Sequence, residues 1–237
     1  MNSNELIQEI KSYCLANADT ERLKKSQRFF KEEFVGHGLT APQQYEKVKS
    51  LQKEHEIDLP EVLEAAPILM KDGMYEEISI ILLLLDGLWK KFTPETFQSI
   101  ASWFSFSISN WAHADVLGMF ILPKFLDKKI LEMNDFTPCL DSPHKFQRRC
   151  VPVTLIKHMK KTREVMPSIL FVEQLMGDPE REVHQGMGWF LREAWKINPN
   201  EVESFLLKYK DTAPRLIFQY ACEKMTPENK LRFKRSK

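Results

Sequence analysis

The feature that most limits what this chain can fold into is a recurring mark, a short polar side chain followed within two residues by proline. It occurs as Thr40 before Ala41 and Pro42, Asp58 before Pro60, Thr93 before Pro94, Asp141 and Ser142 before Pro143, Asp178 before Pro179, and Thr226 before Pro227. Such a side chain satisfies backbone N–H groups that have no partner in the first turn of a helix. Proline is tolerated there because its missing donor has no role. Gly numbers only eight in 237 residues, and alternating stretches bounded by turn residues are nearly absent, so helix dominates and sheet is excluded as the main scaffold.

Between those marks apolar residues recur at helical spacing. The pattern predicts helices near 4–16, 20–34, 41–55, 60–71, 74–91, 94–109, 111–132, 143–161, 164–176, 179–197, 199–209, 212–224 and 227–234. Short helices with tight connections and no Gly/Ser-rich linker point to an all-α chain of antiparallel pairs stacked as a HEAT-like α-α superhelix. One domain over 1–237 with a concave basic face is the expectation, and an irregular helical bundle is the alternative packing. Pro123, Pro152, Pro167 and Pro214 lie inside or at the edges of apolar helical segments, where each favours a kink or break. The run ISIILLLLDGLW is apolar almost all round and reads as an inner helix, with Trp89 in the core.

Length is sufficient for a substantial core. The net charge of +1 means that any affinity for a polyanion must come from charges sorted onto one face. Cys14, Cys139, Cys150 and Cys222 are scattered without ligand spacing, which argues for free thiols in a reducing compartment and against a structural zinc or a disulfide framework. The polar start MNSNELIQEIK is not a secretory signal, and the longest apolar run, 78–85, is too short to span a bilayer. A soluble cytoplasmic protein is therefore expected; the missing ligand clusters give no reason for a metal or cofactor, and the first functional reading below is of a monomer. No GxSxG, Walker, GxGxxG, HExxH or deaminase-type HxE with PCxxC pattern occurs, which excludes hydrolases of those types, NTPases and nucleotide-dependent redox enzymes. The histidines show no metal spacing, and His113 is expected to point away from its neighbours Trp111 and Asp115, as a surface or supporting residue.

Two patterns stand out. From Ser142 to Arg163 there is no acidic residue, yet Lys145, Arg148, Arg149, Lys157, Lys160, Lys161 and Arg163 fall there. Lys24, Lys25, Arg28 and Lys31 cluster on the second helix, and the tail carries Lys230, Arg232, Lys234, Arg235 and Lys237. On a curved helical array such charges can line a surface that fits a phosphate backbone; as ordinary solvated faces they would carry no function. In NWAHAD, Trp111 and Asp115 stand four apart, so an aromatic face and an anion share one side of a helix. An isolated pair of this kind is more often a core ring and a surface charge.

The stretches RFFKEEF, GHGLTAPQ, NWAHAD, FQRRC and VHQGMGWFLREAWKINP together resemble the AlkD-type DNA alkylation repair glycosylases, built from HEAT-like helical repeats. GWFLRE followed by NP is the most specific segment. The resemblance implies that Trp111, Asp115 and Trp189 match the active-site Trp, Asp and Trp, and that Arg148 matches the site arginine, with Arg149 the competitor if the register slips by one. Two positions depart from the pattern. Phe29 stands where the family can present a Tyr, losing a hydroxyl that can reach a phosphate, and Gln185 replaces a common basic residue.

The activity so implied is excision of cationic N3- or N7-alkylated purines from double-stranded DNA by hydrolysis of the N-glycosidic bond, with no requirement to flip the lesion into a pocket. Asp115 would stabilise the sugar cation, the Trp faces would offer cation-π attraction, and Arg148 or Arg149, Phe29, Lys157, Lys160 and Lys161 would hold DNA. A catalytically silent binder of branched or damaged DNA on the same scaffold is the second reading. A HEAT-like protein-interaction module is the third.

Overall fold

The computed structural model describes residues 1–30 and 34–236. Lys31, Glu32 and Glu33 of RFFKEEF, and Lys237 of the basic tail, lie outside the described residues. The chain is all-α, with no strand among the described residues, and it resolves into two compact units, Met1–His113 and Ala114–Lys237.

The first unit holds α1 (Ser3–Ala16), α2 (Thr20–Gln27), α3 (Ala41–Glu54), α4 (Leu59–Asp72), α5 (Tyr75–Gly87) and α6 (Pro94–Trp103), and it ends within α7 (Trp111–Val116). In this unit the cap signals Thr40, Asp58 and Thr93 work as read. Thr40 with Gln43, Asp58 with Glu61, and Thr93 with Thr96 form reciprocal capping boxes, and Asn2 with Glu5 adds one that the proline marks do not announce. Helix α4 stops at Gly73, whose φ of 74° is a left-handed end that glycine adopts without strain. Helices α1, α3 and α4 pack on α5, whose Ile78, Ile80, Ile81, Leu82, Leu84 and Leu85 are buried, as expected of an inner helix. Burying such a side chain stabilises by roughly 1.5–3 kcal/mol, so this strip anchors the unit.

Three expectations are corrected here. The helix predicted over 20–34 ends at Gln27, leaving Arg28 and Phe29 in a turn. Trp89 is half-buried in a single 3-10 turn, Trp89–Lys91, and the fully buried tryptophan of the unit is Trp103. The helix predicted over 94–109 stops at Trp103, after which Ser105, Ser107 and their neighbours turn back on the Trp103 carbonyl and on Ser102. Serines compete with the helix for those carbonyls.

The second unit continues with a π-helical segment, Leu117–Ile121, then α8 (Pro123–Asp127), α9 (Thr137–Leu140), α10 (Lys145–Thr162), α11 (Val165–Phe171), α12 (Arg181–Trp195), α13 (Pro199–Tyr209), α14 (Arg215–Ala221) and α15 (Pro227–Leu231). Pro123 accounts for the π segment. With no N–H of its own and a ring that crowds the preceding turn, it is accommodated by a widened turn in which Leu122 N–H donates to Leu117 O at 2.9 Å. One predicted helix over 111–132 is thereby split in three. Pro152, by contrast, lies inside an uninterrupted α10. Helices α10 and α12 are the centre of the unit. The π segment, α8 and α9 pack on α10, while α13 and α14 pack on α12.

Candidate functional site

Asp115 and Arg149 pair with each other within the second unit. Arg149 Nε donates to Asp115 Oδ1 at 2.9 Å and its second terminal nitrogen to Oδ2 at 2.8 Å, a forked pair in which both side chains are largely buried. The remaining terminal nitrogen donates to the Glu182 carbonyl on α12 at 2.7 Å. Burial pushes the Asp115 carboxyl above its ordinary range, and the guanidinium opposes that push. Each Asp115 oxygen spends one lone-pair site on Arg149, which leaves acceptor capacity for a water.

Two glycines bring the carrying helices close. A side chain at Gly118 would meet Val153 Cγ1 at 2.9 Å and the Cys150 carbonyl at 3.1 Å, so the π segment seats on α10 only with hydrogen at that position. On α12, a Cβ at Gly186 would meet Arg149 Cγ at 3.0 Å and its carbonyl at 3.3 Å. The arginine stem thus lies against bare backbone, and its head reaches Asp115. Cys150, one residue on, is fully buried and donates its thiol hydrogen to the Ala114 carbonyl at 3.2 Å.

Arg148, the first choice of the resemblance, is engaged elsewhere. Its Nε donates to Asp178 Oδ2 at 2.6 Å, one terminal nitrogen to Asp178 Oδ1 at 3.2 Å and the other to the Ser142 carbonyl at 2.8 Å. Asp178 and Ser142 are two of the residues read as helix caps. The helices behind them start instead after Glu180 and His144, so that Asp178 accepts from Glu180 N–H and Ser142 Oγ from His144 N–H. Arg148 braces these two connections, and Arg149 is the arginine that meets Asp115.

Helix α7 carries Trp111 one turn before Asp115. Trp111 is 37% exposed; its indole N–H donates to the Phe29 carbonyl at 3.4 Å and its ring stacks on Phe30 with centroids 5.5 Å apart. Phe29 itself is 75% exposed in the turn after α2, so the ring in contact with Trp111 belongs to its neighbour. His113, expected at the surface or as a supporting residue, is buried. It accepts from Asn110 Nδ2 at 3.0 Å, faces Tyr75 O at 3.1 Å and Ser79 Oγ at 3.2 Å, and burial pulls its pKa down to about 4. Trp189 is half-buried on α12, one turn after Gln185, whose amide donates to the Tyr220 hydroxyl at 2.9 Å.

The basic block is partly spent inside the molecule. Lys160 binds Glu193 at 2.6 Å and Lys161 binds Asp127 at 3.2 Å, whereas Lys157 lies 4.5 Å over the exposed ring of Phe120. Burial raises the Glu193 carboxyl, but Lys160 and Lys196 outweigh it and hold the group down to about 2. No group of three His, Cys, Asp or Glu among the described residues is arranged to hold a metal ion, and no helix there is long and apolar enough to cross a membrane.

The chain is thus an all-helical scaffold that carries a largely sheltered Asp–Arg pair. A family model for DNA alkylation repair enzymes matches residues 10–225, and the chain belongs to that family. A solved structure of a predicted DNA alkylation repair enzyme from Enterococcus faecalis superposes with a TM-score of 0.76 at 17% identity, covering 89% of this chain and 98% of the other. AlkD2 from Streptococcus mutans superposes at 0.59 and 18% identity, covering 92% and 99%. These likenesses bear on the fold. Comparison with curated protein sequences gives no match.

Proposed function

We propose that the protein is a monofunctional DNA glycosylase that releases cationic N3- or N7-alkylated purines from double-stranded DNA, acting as a monomer. Family membership supplies the repair role. The observation that carries the finer reading is the Asp115 carboxylate, sheltered from solvent, held in a fixed direction by Arg149 and retaining acceptor capacity. An alkylated purine is already a good leaving group, so the reaction needs no proton donor. The deoxyribose is what becomes cationic as the base departs.

Arg149 sets the size of the effect. A carboxylate ~4 Å from a developing cation at an effective dielectric of ~20 attracts it by about 4 kcal/mol, and a guanidinium ~8 Å from that cation repels it by about 2. The difference, about 2 kcal/mol, corresponds to a rate factor of roughly 30. Asp115 also orients the attacking water, while Trp111 and Trp189 offer ring faces to the sugar. Lys157 and Phe29, both exposed, are assigned to strand contact, with Lys160 and Lys161 contributing to the extent that phosphate competes with their carboxylates.

Arg149 also motivates a second reading, a catalytically silent binder of damaged or branched DNA. A carboxylate with a guanidinium on both oxygens is what a purely structural ion pair looks like. The deciding experiment incubates the protein with methylated duplex DNA and separates the freed bases chromatographically. Release of 7-methylguanine and 3-methyladenine supports the glycosylase; retention of the DNA without release supports the binder.

A further inference from the structure

We propose that His113 is a positioning residue, an uncharged tether between α7 and α5 that fixes the orientation of Trp111; its consequence for base excision rests on the glycosylase reading. Asn110 immediately precedes α7. Its Oδ1 accepts the His113 backbone N–H at 2.9 Å, as an N-cap does. The amide can present only its nitrogen to the ring, so His113 Nδ1, 3.0 Å away, must be an acceptor. The ring proton is therefore on Nε2, where it donates to the Tyr75 carbonyl at 3.1 Å, with Ser79 Oγ at 3.2 Å beside it. Ser79 donates its own hydroxyl hydrogen to the same carbonyl at 2.9 Å, which leaves its oxygen free to accept from the imidazole. One tautomer satisfies every group.

The tether continues through rings. Tyr75 stacks on His113 with centroids 4.6 Å apart and packs against Phe34 at 4.9 Å and the edge of Phe30 at 5.7 Å. Phe30 in turn stacks on Trp111 at 5.5 Å and 19°. Trp111 is thus set from two directions: along its own helix, whose first turn is pinned by Asn110 and His113, and across the ring stack that His113 supports. The face left exposed is the one a sugar or base would meet.

The test uses the full chain with fluorotryptophan incorporated, which gives one fluorine resonance for each of the five tryptophans, that of Trp111 being assigned by its loss in Trp111→Phe. His113→Phe keeps a ring on Tyr75 and removes both hydrogen bonds. Asn110→Ser keeps a good N-cap and removes only the donor to Nδ1, which guards against a variant that merely unfolds. The expected result in both is a shifted and broadened Trp111 resonance with the other four in place, together with a roughly 10-fold loss of single-turnover excision and duplex affinity unchanged within about twofold. An unmoved Trp111 resonance, or all five resonances moving together, overturns the proposal. A selective Trp111 shift in a protein whose wild type releases no base upholds the tether and removes the glycosylase reading instead.

Discussion

Arg149 decides more about the second unit than any other side chain, because it spends all of its hydrogen-bonding nitrogens on Asp115 and the Glu182 carbonyl. Arg149→Met should cost about 3 kcal/mol, since it strands a mostly buried carboxylate, whereas Asp115→Asn should cost only about 1, because the amide oxygen keeps one guanidinium bond. Denaturant unfolding of the two variants and their double mutant checks this ordering. The acid limb gives an independent readout. With the Asp115 carboxyl raised above its ordinary 3.8 by burial, an activity that needs the anion should fall away above that pH as the solution is acidified, and added phosphate charge from DNA moves the limb higher still. His113 is displaced the other way, its pKa pulled downward by burial. Held near 4 against an ordinary 6.5, it keeps its full contribution to stability above pH 6.5 and loses it as pH falls toward 4, by about 3 kcal/mol in all. The pH dependence of unfolding in His113→Phe should lack that component. The sequence offered Trp111, Asp115 and Trp189 by spacing and resemblance. It left open which of the adjacent arginines pairs with Asp115, because Asp178 and Ser142, which hold Arg148 away from it, are residues whose type fits a helix cap as well as an arginine partner.

Among the elements, the all-helical class, the capping residues Thr40, Asp58, Thr93 and Thr226, and the inner character of α5 were legible, since each depends on local propensity or on the period of apolar residues. The ends were less so. Phe29 and Phe30 looked like the last turn of a long helix, and only the structure shows α2 stopping at Gln27 and handing Trp111 the second ring of the pair. The π segment was hidden for a related reason: Pro123 announces a disturbance, but whether the helix breaks, as near Pro123, or runs on, as through Pro152, depends on which carbonyls find partners. Close helix approach is equally invisible in composition. Gly118→Ala should therefore destabilise by about 1–3 kcal/mol, since the added methyl meets Val153 and backbone of α10 with little room to yield. Thermal unfolding checks it, and a melting temperature equal to that of the wild type would show that the π segment and α10 separate without strain.

At the scale of the whole molecule, a net charge of +1 places the burden of DNA binding on local charge, and the intramolecular pairs of Lys160 and Lys161 reduce what the basic block can offer. Affinity should fall with salt along a log-log slope of about 0.9 per phosphate contact. Lys157→Ala should flatten that slope by about one contact, and Lys160→Ala by less, because Glu193 already competes for its ammonium. Fluorescence titrations across a salt series separate the two; equal losses would mean that DNA displaces Glu193 outright. In the proposed glycosylase, Asp115 acts on the chemical step and contributes little to holding DNA. The most direct measurement is single-turnover release of 7-methylguanine by the wild type and by Asp115→Asn, at saturating protein, with duplex affinity measured in parallel. Release by the wild type, a rate lower by roughly 30-fold in the variant, and affinities that agree within about twofold are the expected results. Wild-type release by Asp115→Asn, or no release by either protein while both bind, would contradict that role of Asp115.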